Sequence, residues 1–66
     1  MMYKLIIHNI SNDEKSEFIS PIIPNVSDYI CIDKDNEKEI SKVIMRDFIF
    51  KDGKLYAVDL TVDEEY

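Results

Sequence analysis

Gly53 is the only glycine in the chain, and it lies within "RDFIFKDGKLYAVDLTV", Arg46 to Val62, where two alternating apolar runs flank a tight turn. Such runs joined by a few turn residues predict a β-hairpin. Its loop can close in two ways. A two-residue Asp52-Gly53 loop needs positive φ at both positions. A three-residue loop, Lys51-Asp52-Gly53, is a type I turn followed by a left-handed glycine, and it asks for positive φ only where no Cβ opposes it. The second is the expectation, and it sets Phe50 opposite Lys54, Phe48 opposite Tyr56, Arg46 opposite Val58 and Ile44 opposite Leu60. One face then carries Ile44, Arg46, Phe48, Phe50, Tyr56, Val58, Leu60 and Val62, which reads as core. The other carries Val43, Met45, Asp47, Ile49, Leu55, Ala57, Asp59 and Thr61, too apolar for an ordinary solvent face. Val43, Met45, Ile49 and Leu55 are therefore the expected oligomer interface.

An arginine on the core face needs an explanation. An unpaired guanidinium inside a core costs several kcal/mol, so Arg46 must reach the mouth of the barrel with its stem on Phe48, or pair with an acid such as Asp28 or Asp33. In the functional reading it binds an anion or a planar ring in a shallow pocket flanked by Tyr56 and Phe48.

The rest of the chain reads as strand and turn. Met2 to Ile10 alternates, with Tyr3, Leu5 and Ile7 on the inner face and His8 pointing outward. In "SNDEKSE", Ser11 and Glu14 have the capping-box spacing for one helical turn. A polar loop leading to a short strand near Glu17 to Ser20 fits better, because no 3.6-residue apolar period follows. Pro21 and Pro24 lack an N–H, so "PIIPN" is an edge or a crossing loop. "DYICID" alternates again, Ile30 and Ile32 against Tyr29 and Cys31, and "DKDNEKE" is a charged turn. Its Asp33, Asp35 and Glu37 have alternating spacing but lack the glycine and closing glutamate of a calcium loop. The tail from Asp63 to Tyr66 reads as a frayed, solvated end.

Sixty-six residues make a single domain, 1 to 66, whose small core leaves it marginally stable and in want of a partner chain. Fourteen acidic and eight basic side chains give a net charge of −6, which works against direct nucleic-acid binding and favours a basic protein surface. No apolar run is long enough to cross a bilayer. One cysteine, Cys31, cannot form an internal disulfide and reads as a small packed hydrophobe in a reducing, cytoplasmic setting. A lone His8, no zinc set and no serine with a base beside it leave no catalytic residue, metal site or cofactor to propose.

Residues 26 to 62, "VSDYICID…SKVIMRDFIFKDGKLYAVDLTV", resemble the small SH3-like β-barrel proteins of bacteriophage and mobile-element genomes, although Ser27 stands where such sequences often have glycine. The resemblance covers somewhat over half of the chain. It implies an all-β, four- to five-stranded antiparallel barrel and a non-enzymatic counter-defence factor that binds a host protein or a signalling nucleotide. Two functions follow. The first is a homo-oligomer that sequesters a small anionic ligand through Arg46, Tyr56, Phe48 and Lys42, with Lys42 or Lys54 supplied by a second chain. The second is an acidic inhibitor or adaptor that covers a basic, possibly nucleic-acid-binding, surface of a host protein with Asp47, Asp59, Asp63 and Glu64.

Overall fold

Five stretches of alternating side chains become five strands: β1 (Tyr3–Asn9), β2 (Glu14–Ser20), β3 (Tyr29–Lys34), β4 (Glu37–Lys51) and β5 (Lys54–Glu64). The computed structural model describes residues 1–64, position 34 by its backbone alone. The strands form one sheet in the order β2-β1-β5-β4-β3, curled into a half-barrel. The all-β, five-stranded class is as the sequence predicts, with two differences. The curl does not close, leaving β2 and β3 as its edges. The sheet is also not wholly antiparallel, because β1 runs parallel to β5, Leu5 beside Val58 and Ile7 beside Leu60. That pairing joins the apolar rows of β1 and β5 into one, whereas the antiparallel neighbour β2 sets Phe18 beside Leu5 and only Ser16 beside Ile7.

The hairpin closes the other way from the expectation. Asp52 (φ 52°) and Gly53 (φ 75°) are both left-handed, Lys51 pairs with Lys54, and Phe50 pairs with Leu55. The two-residue primed turn matches the right-handed twist of its strands, and aspartate tolerates the left-handed region better than most side chains. Two register shifts follow. Tyr56 is an extra residue on β5 and Ile44 an extra residue on β4, so each is a β-bulge. The first bulge restores the face that the shorter loop would have reversed, so Arg46 lies opposite Leu60 and Phe48 opposite Val58. The second reverses the rest of β4, turning Val43 inward opposite Val62 and leaving Ile44 exposed.

The core is thus Leu5, Ile7, Val43, Val58, Leu60 and Val62 on the concave face, with Tyr3, Ile23, Ile30, Ile32 and Leu55 packed against it. Four members of the expected core face, Ile44, Phe48, Phe50 and Tyr56, are exposed instead. The expected outer band also breaks up: Val43 is fully buried and Leu55 packs on the core, while Met45 is exposed and Ile49 half-buried. Asn9, buried at the end of the core, accepts the Ser11 N–H (2.9 Å) and donates to Glu64 Oε1 (3.3 Å).

The remaining segments follow the residues. Residues 10–13 are a turn ending in left-handed Asp13, not a helical turn, and β2 begins three residues earlier than expected, at Glu14. Residues 21–28, with both prolines, cross from β2 to β3. Asp35 and Asn36 form a second two-residue turn with positive φ at both positions. The tail is strand as far as Glu64, which pairs with Ser41; residues 65 and 66 lie outside the described residues. Among the described residues no helix is long and apolar enough to cross a membrane.

Candidate functional site

Arg46 is held by the crossing loop. Its guanidinium lies 5.2 Å from the centre of the Phe48 ring, and Nη1 donates to the Pro24 carbonyl (3.3 Å) and to Asn25 Oδ1 (3.2 Å). Neither Asp28 nor Asp33 supplies the acceptor. Asp28 instead accepts the Asn25 N–H (2.8 Å) and shapes the same loop. Two neutral acceptors and an aromatic face let the arginine stem cover apolar surface while its head stays wet. Replacing Arg46 with alanine should lower stability by about 1 kcal/mol, the net worth of such hydrogen bonds. In urea titrations the midpoint should fall, and amide exchange across residues 22–28 should quicken.

The expected ligand set does not assemble. Arg46 and Phe48 lie together on the concave side, but Tyr56 turns to the convex side and meets Lys4, while Lys42 sits opposite Asp63 and beside Tyr29. The bulge is the cause. As the extra residue of β5, Tyr56 leaves the row of Val58 and Leu60 and joins Ala57.

A different cluster forms there. Lys4 Nζ donates to the Tyr56 hydroxyl (3.1 Å), and Lys51 Nζ stands 3.9 Å from the centre of the Tyr56 ring. Lys54 is the Cα partner of Lys51 across the hairpin. The Lys4 hydrogen bond, then the charges of Lys4 and Lys51, hold the Tyr56 phenol below its ordinary pKa. The same bond raises Lys4, with Glu17, 3.6 Å away, adding to the effect. The pairing of β1 with β5 begins only at Leu5 and Val58, and beyond it a cleft of about 400 Å³ opens. Met2, Tyr3, Leu55 and Val58 line its apolar side, and Lys4, Lys54 and Tyr56 its polar side. Its volume falls within the range of small-molecule sites.

Sequence reasoning missed Lys4 and Lys51 because they lie 47 positions apart and no local pattern links them. The cluster depends on the parallel pairing and the bulge. Of the acids named for a basic partner, Asp47 and Asp59 are direct Cα partners on the convex face. Asp63 shares that face and accepts from Ser11 Oγ (2.5 Å), whereas Glu64 falls on the opposite one. Cys31, expected to be packed, is an exposed free thiol.

Comparison with protein-family models, with curated proteins and with solved structures finds no match to this chain.

Proposed function

We propose that this chain is a non-enzymatic binding protein that holds a small anionic ligand, of nucleotide size, in the cleft beside Tyr56. The observation that carries the reading is the placing of Lys4 and Lys51 against one aromatic ring, with Lys54 lining the cleft beside it, in a chain of net charge −6. Scattered lysines would serve solubility equally well without facing one another. Lysine ammoniums recognise phosphate as point charges, and the apolar wall of Met2 and Leu55 gives the flat part of a ligand a dry contact. Holding a ligand without transforming it fits the sequestering, counter-defence role implied by the resemblance, in a cytoplasm where Cys31 stays a thiol.

The test is calorimetric titration of the protein with a panel of linear and cyclic nucleotides and with pyrophosphate. The parent should bind at least one. Lys51→Glu exchanges an attraction for a repulsion, each about 1 kcal/mol at contact distance in water, and should weaken binding by about tenfold or more. Arg46→Ala should bind as the parent does. Loss of binding in Arg46→Ala with retention in Lys51→Glu would move the pocket to the concave side.

One observation favours a second reading. Asp47 and Asp59 face each other directly, and like charges so placed destabilise a sheet unless something positive relieves them. In that reading the convex face covers a basic host surface. A protein that binds none of the panel, and whose partner binding is lost on changing Asp47 and Asp59 to lysine, would be explained this way.

A further inference from the structure

The two edges of the half-barrel are not alike. β2 exposes Glu14, Lys15 and Glu17, charges of the kind that keep an edge from pairing with another chain. The first four residues of β3, Tyr29-Ile30-Cys31-Ile32, carry no charge, proline or bulge, Asp33 being the one charge among its outward-facing residues, and the register with β4 is unbroken. Apolar surface flanks that edge on both sides. Tyr29 (61% exposed), Cys31 and Ile40 (42%) lie on the convex face, while Ile30 and Ile32 border a groove of about 310 Å³ with Phe18 and Ile22 on the concave face.

The direction of the backbone groups is fixed by one bond. The Val43 N–H donates to the Asp28 carbonyl (2.9 Å), so Asp28 points its carbonyl at β4. By alternation Ile30 and Ile32 bond β4 as well, and Tyr29, Cys31 and Asp33 turn their N–H and C=O groups to the open side. We infer that a second copy of this chain adds to β3 through these groups, antiparallel, with the two-fold axis at Cys31.

That register is the one the sequence makes self-complementary. Tyr29 of each copy pairs with Asp33 of the other, Cys31 pairs with Cys31, and all three outward residues of both copies are used. Ile30 comes beside Ile32 of the second copy, which runs the two grooves together. A slip of one residue would set Ile30 against Asp33 and join concave to convex face. A slip of two leaves an outward residue unpaired. An isologous contact of this kind closes on itself, which limits assembly to a dimer. It is independent of the anion cleft, which lies at the other end of β4.

Sedimentation of the reduced protein at micromolar concentration should give twice the chain mass of 7.8 kDa. Cys31→Lys places two ammoniums face to face on the axis and should weaken the dimer by about tenfold or more, while Cys31→Ser should keep it. Hydrogen exchange provides the second measurement. In the parent the Tyr29, Cys31 and Asp33 amides should be protected, and in Cys31→Lys these three should exchange fast with the core amides of Val43 and Leu60 unchanged. A one-chain mass for the parent overturns the proposal. So does a dimer unaffected by Cys31→Lys, or fast exchange of these three amides in the dimer.

Discussion

Aspartate in place of Val43 should leave the chain unfolded at room temperature, while aspartate in place of Met45, two residues along the same strand, should fold. Simple alternation puts both on one outer face, and the bulge at Ile44 separates them. Val43 has no exposed surface and packs with Leu60 and Val62, whereas Met45 is half exposed. Removing the valine forfeits about 1.5–3 kcal/mol of burial. Burying a carboxylate there adds several kcal/mol more. A domain of this length has only about 3–10 kcal/mol to lose, at about 0.05–0.15 kcal/mol per residue. Far-ultraviolet circular dichroism of the two variants decides the matter. If both fold, or both unfold, the register on the far side of Ile44 is wrong.

Proline at position 52 should be nearly as damaging, and glycine there should stabilise. Asp52 has φ of 52° in the turn that closes the longest hairpin, and proline is confined near −65°. Asp52→Pro must therefore rebuild the turn, at a cost of about 3 kcal/mol or more. Asp52→Gly removes a Cβ from a left-handed position, where it is worth about 1–2 kcal/mol, partly offset by the greater freedom of glycine in the unfolded chain. Urea midpoints for the two variants should move in opposite directions. A three-residue loop predicts otherwise, because Asp52 would then have negative φ and glycine would only weaken the folded state.

These variants mark where the sequence is legible and where it is not. Period-two alternation put Tyr3, Leu5 and Ile7 on the inner face, and set Ile30 and Ile32 together on one side that the structure turns to the core, because a strand with one buried face has no other way to lie. The prolines likewise marked residues 21–25 as a crossing loop. A bulge needs no special residue, so nothing at Ile44 or Tyr56 announces one, and each moves the side chains beyond it to the other face. The loop was misread because steric ease at glycine was weighed above the twist of the strands. Arg46 was read correctly as a side chain that must find partners, but those partners are the uncharged oxygens of Pro24 and Asn25. The lysines around Tyr56 were beyond reach, since their proximity is a property of the sheet and not of any segment.

The parallel seam between β1 and β5 also bears on how the domain is made. Leu5 and Val58 are 53 positions apart, and the contact between them spans most of the chain. During synthesis β1 and β2 can meet early as a local hairpin, but one flank of β1 stays open until β5 has left the ribosome. Two-stranded hairpins hold weakly in water, so the nascent β1–β2 pair fluctuates until β5 arrives, with Leu5 and Ile7 uncovered. Non-local pairing of this sort slows folding and exposes sticky intermediates. The fifth strand to emerge is thus the one that fixes the first.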